Sequence, residues 1–439
     1  MAFIASLWLT LLVRYAAIPD VSLIKTHFEA FAVLFALWLL VFYMAGLYGK
    51  RIVLSKSALF GTILKTQLAN IVLAALFFFF LPDIGIAPKT NLILYLGVSL
   101  ALILLWRLWV FPYIARPVTR TRAALIASGP DADALVAEVN GNPRYRTVFS
   151  VVVSPEEAQR DFDEIAEHLR KEHISLLVVD TSAEALRALL PRVYELALIA
   201  PGYGFADFHG LYEEVFDRVP LSNLSYEWFL ENVSATPSFF YPTAKRVIDL
   251  VGGVMMGLVT LIATPLVACA LALEGPGPVF IRQERMGRRG TLLYAYKFRS
   301  MRQNKSASGE WTVEEKKDNP VTKVGAFLRF TSLDEFPQFV NVLKGELSLV
   351  GPRNDVVGLG ERLGAVIPYY GIRYIVTPGI TGWAQINQHY EQGNISPQSI
   401  EETKVRLAYD FYYIKHRSLA LDFVIALKTV KRMLFRMTG

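Results

Sequence analysis

The chain has 439 residues, 53% of them hydrophobic and 19% charged, with a mean hydropathy of +0.35 and a formal net charge of +6. That is more apolar than a soluble domain usually is, and it excludes a charge-rich disordered chain. The single cysteine, Cys269, excludes an intrachain disulfide and any multi-cysteine metal site, and the six histidines are scattered without ligand spacing, so a histidine metal centre or a serine-hydrolase triad has no support.

Residues 3–18, 28–48, 58–81 and 91–113 are each mainly apolar and near the ~20 residues that cross a bilayer as a helix, although the first is short and contains Arg14. The N-terminus lacks a basic n-region and a small-residue cleavage site, so the first segment is expected to be a retained anchor. Lys50, Arg51 and Lys56 follow the second segment and Arg116, Arg120 and Arg122 follow the fourth, whereas only Lys89 follows the third. The positive-inside rule therefore predicts a four-helix transmembrane unit over 1–116 with both termini in the cytoplasm.

Residues 119–228 read as a small α/β domain. Ala123–Ala127 and Ser175–Val179 have the composition of buried parallel strands, with helical patterns at 131–140, 156–172 and 183–200. The pattern suggests a doubly wound, Rossmann-like sheet. Its first strand ends in Ser128-Gly-Pro-Asp131, which lacks the Gly-x-Gly-x-x-Gly that cradles a pyrophosphate, so no dinucleotide is expected there. Residues 229–242, with Pro237 and Pro242, are the expected linker. Tyr241-Pro-Thr-Ala-Lys245 has the Tyr-x-x-x-Lys spacing of short-chain oxidoreductases, but that spacing belongs on a helix, and Pro242 argues against one. A membrane-bound nucleotide-sugar dehydratase or epimerase is thereby disfavoured.

The apolar run Val247–Leu273 is long enough to span. Lys245 and Arg246 precede it and Arg282 and Arg285 follow, so both ends carry the cytoplasmic charge signature. Thr264-Pro265 interrupts the run, and a proline inside a helix removes a hydrogen bond. The expectation is a re-entrant helix, broken at Thr264 and Pro265, that dips into one leaflet and returns.

From Arg282 to Lys305 come eight basic residues (Arg282, Arg285, Arg288, Arg289, Lys297, Arg299, Arg302, Lys305) against one acid, Glu284. Such a field suits a phosphate ester, because guanidinium forks hold phosphate oxygens bidentately; a solvated or lipid-facing basic surface is the alternative. Then comes Leu328-Arg-Phe-Thr-Ser-Leu-Asp-Glu-Phe-Pro337, with adjacent carboxylates at Asp334 and Glu335. In phosphoryl transfer one such carboxylate can attack phosphorus while its neighbour holds a divalent ion. Ser332 and Glu335 also have capping-box spacing, so the cluster could simply start a helix.

Lys297-Phe-Arg-Ser-Met301, Thr331-Ser-Leu-Asp-Glu-Phe-Pro-Gln338, Asn341-Val-Leu-Lys-Gly-Glu-Leu-Ser-Leu-Val-Gly-Pro-Arg353 and Pro378-Gly-Ile-Thr-Gly-Trp-Ala-Gln385 stand in this order. So arranged, the chain resembles the bacterial sugar transferases, the polyprenyl-phosphate hexose-1-phosphate transferases or monotopic phosphoglycosyltransferases. The resemblance runs through Tyr409–Lys415 and Ser418–Asp422 and covers 243–439. Many members have Gly-Pro-Arg-Pro where this chain has Gly351-Pro-Arg-Asn354, and many have Ser-Pro where it has Thr264-Pro265.

The resemblance implies an α+β catalytic domain over 243–439 with a re-entrant helix over 247–273, on the cytoplasmic face of the bacterial inner membrane. It implies a UDP-sugar donor and an undecaprenyl phosphate acceptor, with membrane lipids around the site. Asp334 would attack the β-phosphorus, and Glu335 would ligate Mg²⁺. Lys297, Arg299, Arg329 and Arg353 are the candidates for gripping phosphate, and Arg373, Thr381, Gly382 and Gln385 for the nucleotide end. The α/β domain is expected to serve assembly or regulation, with a homodimer as the favoured state. No nucleic-acid partner is expected. A non-enzymatic scaffold of polysaccharide assembly is the rival reading, favoured only if Asp334 is dispensable.

Overall fold

The computed structural model describes residues 2–45, 47, 56–80, 88–110, 120–143, 145, 147–196, 203–222, 224–233, 240–301, 321–389 and 397–438. The chain divides into two compact units, 1–118 and 119–439.

In the first unit lie α1 (Ala2–Tyr15), α2 (Val21–Met44), α3 (Lys56–Phe80) and α4 (Pro88–Leu105), the last continued by a π-turn over Trp106–Val110. Among the described residues four helical stretches are long and apolar enough to cross a membrane: Val21–Met44, Phe60–Phe80 and Asn91–Val110 in this unit, and Phe240–Glu274 in the second. The first expected span is shorter than expected. Ala16 turns the chain with a φ of 49° and Asp20 caps α2, leaving α1 with 14 residues, a rise of about 21 Å against the ~30 Å of a hydrocarbon core. An aromatic core of Phe3, Phe31, Phe35, Trp38 and Tyr95 joins α1, α2 and α4. Lys50, Arg51 and Arg116, which carried the orientation argument, lie outside the described residues.

The second unit begins with a four-stranded parallel sheet of β1 (Thr121–Ile126), β2 (Thr147–Val153), β3 (Leu176–Val179) and β4 (Gly204–Asp207), in the order β2-β1-β3-β4. Helices α5 (Pro130–Gly141), α6 (Pro155–Lys171), α7 (Leu190–Tyr194) and α8 (Phe208–Phe216) connect and cover it. A complete capping box, Ser154 with Glu157, starts α6. Of the expected linker, residues 229–232 instead end α9 (Tyr226–Asn232). Its Trp228 and Phe229 are buried in one core with Leu407 and Phe411, because two large rings there are worth more packed than exposed. Residues 234–239 lie outside the described residues.

The rest of the unit is built on α10 (Phe240–Glu274), 35 residues long, which carries its helix straight through Pro265. The expected interruption at Thr264 and Pro265 is therefore absent. The Thr264 hydroxyl donates back to Thr260 O at 2.6 Å, a bond within the helix one residue before Leu261, whose carbonyl Pro265 deprives of its amide donor. Pro242 also sits inside α10, in its first turn, where proline costs no helical bond; the helix expected to be absent around Tyr241–Lys245 is present. Tyr241 and Lys245 both end on one acceptor, Asp422 Oδ2, at 3.0 and 2.8 Å.

Two glycines let α10 press against the elements beneath it. A Cβ at Gly252 would lie 2.3 Å from Leu349 Cδ1, and one at Gly253 3.0 Å from Leu343 Cδ2. Those elements are the hairpin β5 (Phe280–Met286) and β6 (Leu292–Phe298), α11 (Lys323–Thr331), a 3-10 turn (Leu333–Gln338), α12 (Phe339–Lys344) and β7 (Ser348–Val350) paired with β8 (Gly379–Thr381). Helices α13 (Val357–Val366), α14 (Trp383–Asn387), α15 (Ile400–Lys415) and α16 (Leu419–Thr438) complete it.

Candidate active site

Asp334 and Glu335 lie on the 3-10 turn that follows α11. The expected capping box is not formed: Ser332 adopts the left-handed region with a φ of 58° and its side chain caps nothing. Ser332 instead ends α11 and turns the chain sharply, so that the two carboxylates face the β5–β6 hairpin rather than starting a long helix.

Three cations converge there from three elements. Lys297 on β6 donates to Glu335 Oε1 at 2.9 Å, and Arg353, just after β7, holds both Glu335 oxygens. Arg329, in the last turn of α11, donates Nε to Ser300 Oγ at 3.0 Å, and its charge acts on Asp334.

The two carboxylates are driven apart. Burial first, and the Glu335 charge second, raise Asp334 above the ordinary aspartate range against the pull of Lys297, Arg329 and Arg353. Burial would raise Glu335 as well, but Arg353 and Lys297 outweigh it and hold that carboxyl well below the usual range. A neighbouring pair so divided has two roles, a fixed anion and a more basic group able to react.

A buried network supports Arg353 from behind. Arg373 is 1% exposed and pairs with Asp355 and Asp410; Arg406 on α15 pairs with Asp355 at 3.1 Å. Arg373 and Arg406 each donate to the Arg353 carbonyl at 2.8 Å, so this balanced set of two cations and two anions fixes the backbone that carries the Arg353 guanidinium. Arg373, expected at the nucleotide, is thus a buried support.

Arg299 also works elsewhere. It donates to Leu271 O in the last turn of α10 and to Gly275 O and Pro276 O just beyond it. The Thr381 hydroxyl shares a hydrogen bond with Thr429, and Gln385 Nε2 donates to Ile380 O at 3.1 Å. Gly382 is required by packing, since a Cβ there would lie 2.3 Å from Gly351 O. The structure therefore brings together Asp334, Glu335, Lys297, Arg329 and Arg353 and ties the other expected residues into the scaffold. Reasoning from sequence passed over Asp355, Arg406 and Asp410, for which the i,i+4 spacing of Arg406 and Asp410 was the available signal. Among the described residues no group of three or more His, Cys, Asp or Glu could hold a metal ion.

Residues 240–436 match the family model for the bacterial sugar transferases. The chain is 39% identical over 203 residues to the UDP-N-acetylgalactosamine-undecaprenyl-phosphate N-acetylgalactosaminephosphotransferase of Aeromonas hydrophila, covering 46% of each protein. It is 41% identical over 191 residues to the UDP-glucose:undecaprenyl-phosphate glucose-1-phosphate transferase of Escherichia coli K12, covering 42% of this chain and 39% of that one. The chain thus spans less than half the length of both. To the protein of the same name from Caulobacter vibrioides it is 37% identical over 190 residues, 43% of this chain and 69% of the relative. On the family model and on these relatives, the chain belongs to the bacterial sugar transferase family.

Proposed function

We propose that this chain transfers a hexose 1-phosphate from a UDP-sugar to undecaprenyl phosphate through a covalent sugar-phosphoryl aspartate, the first membrane step of a polysaccharide pathway. The observation that carries the reading is Asp334: buried, made more basic by its surroundings, and set beside three cations suited to phosphate. A carboxylate Oδ of Asp334 attacks the β-phosphorus, and the bond from that phosphorus to the bridging oxygen breaks, so UMP leaves with the oxygen and its electron pair. An oxygen of the lipid phosphate then attacks the same phosphorus, and the bond to Asp334 breaks, which restores the carboxylate. Lys297, Arg329 and Arg353 hold the phosphate oxygens throughout, where fixed donors are worth most against developing charge.

Adjacent carboxylates at Asp334 and Glu335 fit Mg²⁺, which needs only one or two protein carboxylates beside phosphates and waters. Glu335 is the ligand of choice, and there Mg²⁺ would compete with Lys297 and Arg353 for oxygens they now hold. When bound, Mg²⁺ supplies neutralisation of phosphate charge.

The location proposed is the bacterial inner membrane, with α10 entering one leaflet from the cytoplasmic face without crossing. Both ends of α10 are tied to elements of the catalytic domain, one to α12 and the other to α11 and the residue after β6. Arg246 donates to Val342 O and Leu343 O at one end, and Glu274 accepts from Val324 N, with Arg299 on Leu271 O, at the other. Between them Val247, Val251, Val254, Leu258 and Leu261 are exposed and apolar, a stripe suited to lipid. In a chain lacking Cys269, cysteines at the exposed positions Thr243 and Thr291 are expected to react only with a cytoplasmic reagent. Labelling at 291 from outside would establish a spanning helix instead.

On the same reading the parallel α/β sheet is the Rossmann-like module of two-domain members. Just after the end of β1, Asp131 accepts from Leu221 N, Ser222 N and Ser222 Oγ. Membranes carrying the protein, given Mg²⁺, undecaprenyl phosphate and a panel of UDP-sugars, are expected to release UMP with at least one donor. Release with none would end the transferase reading.

A further inference from the structure

Arg285 stands on β5, beside the segment that carries Arg353. Met286 N donates to Asp355 O at 2.9 Å, and Arg285 forms a bridge with Val356, so the strand and the 354–356 segment lie against each other. The guanidinium donates only to neutral acceptors, Asn354 O at 3.3 Å and Gln283 Oε1 at 2.5 Å, and no carboxylate within 4.0 Å pairs with it among the described residues. Its Nε is buried without a partner. Asn354, 8% exposed, carries a second such donor in its Nδ2. Two orphan donors on one paired segment are costly unless a ligand satisfies them.

The local charge points the same way. Arg285, Lys297, Arg329 and Arg353 give four positive charges against two negative ones at Asp334 and Glu335, an excess of two, while Arg373 and Arg406 are balanced by Asp355 and Asp410. An excess of two complements a phosphate monoester dianion or the two phosphates of a nucleoside diphosphate. Lys297 and Arg353 share the single charge of Glu335 and Arg329 stands beside Asp334, which leaves Arg285, beside Glu335 and Arg353, without a carboxylate paired to it. Burial, and then the Arg353 charge, push Arg285 down to about 10 against the pull of Glu335 and Asp355.

Resting on the transferase reading, we propose that Arg285 and Asn354 form a second phosphate subsite beside the reacting one, with the Arg285 guanidinium and the Asn354 amide donating to phosphate-ester oxygens. The subsite accepts a phosphate from either source, the diphosphate of the donor nucleotide or the phosphate of the lipid.

The test uses the full chain in lipid nanodiscs, with UDP, inorganic phosphate and undecaprenyl phosphate as probes in separate titrations. Arg285→Met and Asn354→Ala are each expected to weaken at least one probe about tenfold or more, the order of one hydrogen bond to a charged group. Weakened UDP binding assigns the subsite to the donor, and a raised KM for undecaprenyl phosphate alone assigns it to the acceptor. The apo melting temperature should hold or rise in Asn354→Ala, because the amide N–H removed is unpaired in the folded protein; a structural role would lower it. Arg285→Lys keeps the charge but loses the fork, and should fall between parent and Arg285→Met, which covers the case in which Arg285→Met does not fold. Unchanged affinity for all three probes in Asn354→Ala and Arg285→Lys would overturn the subsite. Because the binding titrations need no turnover, an absence of UMP release would count against the transferase reading alone.

Discussion

Replacing Asp334 with asparagine is expected to cut UMP release by roughly 10³-fold or more, the scale on which loss of a nucleophile registers. The amide matches the carboxylate in size and cannot attack phosphorus. Folding should survive, because the charge removed is one that burial and Glu335 already disfavour. The melting temperature therefore should not drop, and the loss is chemical. Initial rates of UMP release, measured beside a thermal melt, separate the two effects; an asparagine variant within tenfold of the parent would return Asp334 to a structural role.

The other large effect is on stability. Arg373→Leu leaves Asp355 and Asp410 buried with one cation fewer, and breaking a buried pair from one side costs about 3–5 kcal/mol. For a unit of this size that is on the order of 10 °C in melting temperature. Turnover at a temperature where the variant stays folded should fall moderately, through looser placement of Arg353, with little change in the donor KM. A raised donor KM with an unchanged melt would instead put Arg373 in contact with nucleotide.

Arg373 also shows where the sequence stops being readable. A basic residue near a glycine-containing loop suits nucleotide binding, and nothing local distinguishes it from an arginine buried against Asp355, 18 positions earlier, and Asp410, 37 later. Arg299 illustrates the same limit, since its acceptors at the end of α10 are 23 to 28 residues away. What the sequence did carry was local or periodic. The strands expected at 123–127 and 175–179 are Thr121–Ile126 and Leu176–Val179, and helices expected at 131–140 and 156–172 are Pro130–Gly141 and Pro155–Lys171. The adjacent carboxylates were visible as a motif. Their division into a raised Asp334 and a lowered Glu335 was not, because it depends on Lys297 and Arg353, which approach from β6 and the end of β7. Pro265 shows the converse: its local preference pointed to a break, yet α10 continues through it, with Ala263, Val267 and Leu271 on either side packed in one cluster with Phe298 and Leu328.

The central claim is the covalent step at Asp334, and the most direct test is a mass measurement. Protein incubated with Mg²⁺ and an active UDP-sugar, without undecaprenyl phosphate, is expected to gain the mass of one hexose phosphate on the peptide containing Asp334, with UMP released in proportion and no gain in Asp334→Asn. An unmodified peptide, with UMP formed only once the lipid phosphate is added, would contradict the account and show that the lipid attacks the donor directly.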